Sequence, residues 1–258
     1  MKQAYIKAVL LVGIFLFILT GCSRLNPSQP GSGSGGGSEW LAYYPHKEGD
    51  TWDFQVKVAD NVKLDLTFKV AGHEKVNGVD CIIMEGRANG QLVQKEFLEV
   101  SDKGVIAHKR EMHGGKLIIS LSPPEPMYKF PLEKNKKWTW KGKLNDKLEG
   151  DFEFAVLDEE EVEVPAGKFK AFKVEMKGSA SDKSSVQVIR WIAKDVGVVK
   201  EESSPGGMQF TAVLKSYTID GKTYGETPKM EDLTPGKVKN IEGQGTPAPS
   251  PVPARSEK

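Results

Sequence analysis

Four histidines, two cysteines and a scatter of carboxylates are the residues that chemistry could use in this 258-residue chain. His108 and His113 stand five positions apart beside Gly114-Gly115. On a strand an odd spacing sends side chains to opposite faces, whereas zinc needs three or four converging ligands. Glu111 is the only same-strand addition nearby, and His46 and His73 stand alone. All four read as surface histidines, and no metal is expected. Asp102 and Asp195 each precede x-Gly. Paired carboxylates are the equipment of glycoside hydrolysis, but Asp before x-Gly is ordinary turn chemistry. Asp158-Glu159-Glu160-Glu161 with Glu163 is the densest charge run. Calcium binds clustered oxygens, yet neighbouring strand positions splay apart, so a solvated turn or a blunted strand edge is expected. Nucleophile elbows, Walker loops and HExxH helices are missing from the sequence. The reading is of no catalytic residue and no cofactor. Cys81 lies in Val79-Asp80-Cys81-Ile82-Ile83-Met84, where its apolar alternates predict a small buried hydrophobe facing the core.

The other cysteine has a different setting. Residues 1–22 read MKQAYIKAVLLVGIFLFILTGC, with Lys2 and Lys7 ahead of an unbroken apolar run from Ala8 to Leu19. That run is shorter than the ~20 residues needed to span a bilayer and fits the hydrophobic region of a secretory signal. It ends Leu19-Thr20-Gly21-Cys22, which resembles a bacterial lipobox. The resemblance implies cleavage between Gly21 and Cys22 and diacylglyceryl attachment to the Cys22 sulfur, with the freed amine open to acylation. Two or three acyl chains anchor a protein firmly without a spanning helix. Ser23, rather than Asp, follows Cys22, and by that resemblance a two-membrane host would sort the protein outward. Which membrane holds it is left open. With Lys2 and Lys7 removed, 34 basic groups face 35 acidic ones. No field exists to hold nucleic acid by counterion release, so membrane affinity must come from lipid.

Ten of residues 23–38 are Gly or Ser, a composition that cannot bury enough surface to order itself. The expected organisation is a signal peptide at 1–21, the lipidated Cys and a linker at 22–39, a β domain at 40–220, and a Pro-rich tail at 221–258. The tail reads as disordered, either a solvated spacer or a polyproline ligand for a partner.

Residues 40–220 alternate apolar and polar, most cleanly from Val62 to Val70, which gives one wet face and one dry face. Asn77-Gly78, Asn89-Gly90, Gly114-Gly115 and Ala166-Gly167 are among the turn signals between runs. The result is an all-β, antiparallel body of about 12 strands. They are expected near 51–58, 62–70, 79–87, 91–100, 105–112 and 116–121, then 136–144, 148–164 with a break, 168–178, 185–193, 197–202 and 208–218. Pro45-x₃-Gly49-x₂-Trp52-x-Phe54 recurs as Pro131-x₃-Asn135-x₂-Trp138-x-Trp140. Leu98-x₃-Asp102-x-Gly104 recurs as Trp191-x₃-Asp195-x-Gly197. Two related six-strand halves, about 45–121 and 131–218, follow. They either share one curved sheet or barrel, which removes strand edges, or each closes on itself. The joining segment 122–130 carries Met127, Tyr128 and Phe130, which favours one continuous body.

Tyr43-Tyr44-Pro45 with Gly49 and Trp52, Val164-Pro165-Ala166-Gly167 with Phe169 and Phe172, and Trp191 with Val196-Gly197-Val198-Val199 together resemble a group of secreted β-domains sometimes labelled TapB-like. The similarity runs over about 40–218. It implies an extracytoplasmic β fold, often of lipoproteins, and supplies no catalytic residues. Most tryptophans and phenylalanines are expected in the core. Trp40, Tyr43 and Tyr44, just past the linker, are a candidate contact patch unless they plug the open end of the sheet. Three functions remain in play: a non-enzymatic, lipid-anchored domain that binds an envelope protein; a carrier of an apolar ligand such as a lipid or acylated protein; and a glycan-active hydrolase. A filled or a hollow interior discriminates the first two.

Overall fold

The period-two pattern becomes a single antiparallel meander. The computed structural model describes residues 39–58, 62–145 and 147–226. Residues 1–38, with Gly21, Cys22 and the expected linker, and residues 59–61, 146 and 227–258 lie outside the described residues. After a 3₁₀ turn at Glu39–Tyr43, six strands follow: β1 (Thr51–Val58), β2 (Val62–Val76), β3 (Val79–Ala88), β4 (Gln91–Ser101), β5 (Gly104–Met112) and β6 (Leu117–Lys129). Six more are β7 (Lys137–Asn145), β8 (Leu148–Val164), β9 (Gly167–Ala180), β10 (Ser185–Ala193), β11 (Gly197–Ser203) and β12 (Phe210–Ile219), and β13 (Lys222–Gly225) trails them. Each strand pairs with its sequence neighbour, and β1 also pairs with β12 from Thr51↔Thr218 to Val58↔Phe210. Twelve strands therefore close a barrel, with β13 added outside the ring on β12. Closure abolishes the edges an open sheet would leave.

Alternation sorts the two faces. On β7 every second residue is buried, Trp138, Trp140, Gly142 and Leu144, while Lys137, Thr139, Lys141 and Lys143 are exposed. One contiguous apolar cluster draws residues from all twelve barrel strands. Charge outside and apolar groups inside is the reverse of a membrane-spanning barrel. Among the described residues no helix is long and apolar enough to cross a membrane. A twelve-strand ring is wider than the eight-strand ring that ordinary side chains fill. Here large inward residues take up the space: Trp52, Phe54, Trp138, Trp140, Phe152 and Phe154 are all buried, and Trp138 stacks on Phe154 at 5.3 Å.

Two hairpins outgrow the ring and fold over its outer surface. β2 shifts register between Val70 and Gly72, and β8 does so between Val156 and Asp158. A bulge bends a strand and sharpens its twist. Beyond its bulge, the β2–β3 hairpin reaches over β4 so that Glu74 pairs with Lys109 on β5 at 3.0 Å. The β8–β9 hairpin crosses further, and the Ala166 N–H at its tip donates to the Leu214 carbonyl on β12 at 2.9 Å. The acidic run 158–163 lies on the far side of this arm's bulge, where β8 pairs only with β9. It is thus a strand edge, and lysines answer its charges: Lys134 to Asp158, Lys170 to Glu159 and Lys173 to Glu160.

The joint between the two six-strand runs is made differently. β6 carries Pro123, Pro124 and Pro126, which have no N–H to donate, and β6 and β7 share one residue pair, Ser122↔Lys143. Indole groups take over: Trp138 Nε1 donates to the Pro126 carbonyl at 2.7 Å, and Trp140 Nε1 to that of Pro124 at 3.1 Å.

Candidate functional site

In a meander the turns before odd-numbered strands gather at one end, where the chain also enters. The candidate contact patch sits there. Trp40, Tyr43 and Tyr44 are half-buried and packed against the core. Trp40 stacks on Tyr43 at 5.4 Å and lies 6.2 Å from the Phe172 ring, and Tyr44 lies 6.1 Å from Tyr128. The entry segment is tied down by the Asp195 N–H donating to the Ala42 carbonyl. Gly197, at φ +87, follows in the same turn, and Trp52 Nε1 donates to the Val196 carbonyl at 2.6 Å. Asp50 is buried; its two carboxylate oxygens accept the Lys47 and Asp220 N–H groups at 3.0 and 3.1 Å. One acid thereby joins the entry segment to the β12–β13 turn.

Behind this end the interior holds charge. Arg110 on β5, 2% exposed, donates through Nε to Glu96 at 2.9 Å and through Nη1 to Glu125 at 2.7 Å. Arg190 on β10 donates to Glu201 on β11 at 2.7 Å and also bonds the Tyr128 hydroxyl. Three carboxylates face two guanidinium groups. Burial pushes the Tyr44 hydroxyl well above its ordinary pKa and raises that of Tyr128 as well, so both stay protonated. A cavity of about 100 Å³ adjoins the cluster, walled by Tyr44, Trp52, Phe54, Phe68 and Met127 with Arg190 and Glu201. Ligand pockets generally run to ~300–1,000 Å³, so this cavity is smaller than a ligand pocket. Gln94 Nε2 is the one buried side-chain nitrogen among the described residues with no hydrogen-bond partner.

Outside the ring, between the entry segment and β12–β13, lies a larger groove of about 560 Å³. Leu41, His46 and Asp195 line one side, and Tyr217, Lys222 and Tyr224 the other. Tyr217 sits in an aromatic file, 6.4 Å from Phe169 and stacked on Tyr224 at 5.0 Å with 18° between the planes. Tyr224 ends the file and is 46% exposed. Lys47 pairs with Asp220. Among the described residues, neither the Asp195 carboxylate nor the Lys222 ammonium has an ion pair or side-chain hydrogen bond. This groove combines an aromatic platform, one free acid and one free cation. Nothing in the sequence marks it, because 40–47, 195 and 217–224 meet only through barrel closure and the short β13, which falls just past the expected end of the body.

The other sequence candidates do not converge. Asp102 and Asp195 are exposed in separate turns, and His113 lies in the turn beyond β5 at the opposite end. His108 is buried, its Nε2 2.9 Å from Glu99. No group of three or more His, Cys, Asp or Glu among the described residues is arranged to hold a metal. Cys81 is buried and unpaired as a disulfide. The β3–β4 register, Ile82↔Leu98 and Met84↔Glu96, places it on the opposite face from those inward residues, together with Phe97. Both are fully covered yet outside the main core cluster. Burial pushes the Cys81 thiol up to about 11.

The DUF3108-like family profile matches residues 146–218, a span from just before β8 to near the end of β12 and under a third of the chain. No curated protein matches the chain at a significant level. Among solved structures, it is similar to a candidate lipoprotein from Parabacteroides distasonis ATCC 8503, at 16% identity and a TM-score of 0.41. It is likewise similar to a candidate exported protein with a YmcC-like fold from Bacteroides fragilis NCTC 9343, at 15% identity and a TM-score of 0.42. Each likeness covers 68% of this chain and 98% of the other.

Proposed function

We propose that this chain is a lipid-anchored, extracytoplasmic β-barrel that acts by binding at the cell envelope and catalyses no reaction. The anchor rests on the leader and Cys22, and the tether at 23–38 lets the barrel stand off the bilayer by roughly 20–25 Å. The observation that carries the binding role is the groove at the chain-entry end, where an aromatic file and two unpartnered charges face solvent. A second reading, a carrier of an apolar ligand, draws on the cavity beside Arg190. At about 100 Å³ that cavity has room for a small group and not for an acyl chain.

The halves are read as one duplicated unit, and matched devices support this. Trp52 and Phe54 correspond to Trp138 and Trp140, 86 residues on, and the two arm bulges repeat at that spacing. Glu74 and Glu160, again 86 apart, reach from the arms to Lys109 and to Trp191. Phe97, with the Lys109 ammonium 3.7 Å from its ring centre, corresponds to Trp191 with Lys200 at 4.3 Å. Inside, the cross-strand pairs Glu96↔Arg110 and Arg190↔Glu201 occupy equivalent sites with their signs exchanged.

Photo-crosslinking in intact cells tests the binding role. A crosslinker at Tyr224 is expected to capture an envelope component, and one at Ile118 at the opposite end to capture none. No capture at Tyr224, or equal capture at both, contradicts it.

A further inference from the structure

We propose that the groove between the entry segment and the β12–β13 hairpin binds an uncharged glycan chain, with a hexopyranose ring stacked on Tyr224. The inference rests on the binding role above and names its ligand. A pyranose ring presents a flat patch of C–H groups on one face and hydroxyls around its rim. It therefore needs an aromatic plate that is rigid and partly exposed, with hydrogen-bonding groups beside it. Tyr224 is such a plate: 46% of it meets solvent, while Tyr217 and Phe169 back it in a file. Asp195 supplies acceptors for hydroxyls and Lys222 supplies donors, and neither is committed to another side chain among the described residues.

Charge and shape narrow the class. Lys47 and Asp220 neutralise each other, and Asp50 is occupied by backbone N–H groups. What remains is one negative and one positive side chain, a balance suited to a neutral ligand and poor for a polyanion. A lipid tail is disfavoured by the polar rim. A peptide added as a strand needs a ladder, and β13 offers four residues of edge. A groove of about 560 Å³ has room for more than one sugar ring. Its walls are fixed: the Asp195 turn is held to Ala42, and the β12–β13 turn is held to Asp50, so little ordering is lost on binding.

Isothermal titration of the full chain in detergent with cellohexaose, maltohexaose and chitohexaose tests this. At least one hexasaccharide is expected to bind. Tyr224→Ala and Asp195→Asn are each expected to weaken that binding by about tenfold, and Lys222→Ala in the same direction. Ile118→Ala is expected to leave it unchanged, and circular dichroism reports that each variant is folded. Binding by none of the three, or binding indifferent to Tyr224→Ala, overturns the glycan assignment. If the crosslinker at Tyr224 captures a protein while no hexasaccharide binds, the binding role survives and the ligand class falls. No capture and no hexasaccharide binding overturn both.

Discussion

Arg110 is buried between two glutamates, and its worth lies in what its loss would leave behind. Replacing one member of a buried ion network strands the partner charges and costs about 3–5 kcal/mol, whereas replacing the whole network with apolar groups is often neutral. Arg110→Met is therefore expected to lower unfolding free energy by that amount in urea, and Glu96→Gln/Arg110→Met/Glu125→Gln to recover much of the loss. Cys81 gives a second residue-scale test. Its folded pKa of about 11 lies above the ordinary 9.0. The folded chain therefore holds the thiol proton more tightly than the unfolded chain does. That preference is fully present below about 9 and is lost as pH rises toward 11. The urea midpoint is expected to fall over that window by more than in Cys81→Ala, and the thiol is expected to resist disulfide reagents near neutral pH. Burial of Cys81 was legible from its apolar neighbours. Its position on the outer surface of the ring, beside Phe97, was not, because strand parity gives no hint of an arm folding over the outside. The interior charges were equally hidden: Glu96, Arg110, Glu125, Arg190 and Glu201 come from five strands, and nothing local distinguishes them from solvated charges.

At the scale of elements, turn chemistry carried most of the information. Asn77-Gly78 and Asn89-Gly90 take positive φ at both residues, as their types predict, and β3 between them falls where the alternation puts it. The break expected within 148–164 is the bulge at Val156/Asp158 that bends the long arm. β6 was legible only as far as residue 121, because its second half is proline-rich and reads as a connector. It continues to Lys129 because β5 pairs with it as far as Gly104↔Lys129, while on the β7 side tryptophan side chains do the bonding that a ladder would. This seam is the ring's least backbone-bonded joint. Trp138→Phe and Trp140→Phe keep the apolar bulk and delete the indole N–H. Each is expected to cost about 1–2 kcal/mol, since a partly buried carbonyl loses its donor. Hydrogen exchange is expected to quicken on β6 and β7 before the strands of β2–β3, and uniform quickening would assign the indoles a role in packing alone. Sequence spacing also pairs Leu98 with Trp191, whereas the register shifts pair Phe97 with Trp191, each with a lysine over its ring. A repeat aligned by its turns slips by one residue where a bulge adds one to a strand.

For the whole molecule, the all-β class and the single continuous body follow from period-two patterning. Closure does not, because the β1–β12 pairing joins residues some 160 positions apart with no local signal. Closure assembles the groove from entry segment, β10–β11 turn and β12–β13 hairpin, which is why the sequence pointed to the neighbouring Trp40, Tyr43 and Tyr44 at the same end and not to the groove itself. Filling the ring with tryptophan, phenylalanine and paired charges leaves its outside polar. On the proposed function, attachment to a membrane then depends on lipid at Cys22, and ligand contact on the ring's end. Native mass spectrometry of protein extracted from membranes reads both statements at once. The account predicts a chain that starts at Cys22, carries the mass of two or three acyl chains, and holds no further lipid non-covalently. A chain retaining residues 1–21, an unmodified Cys22, or a co-purified lipid that leaves on gentle activation would contradict it.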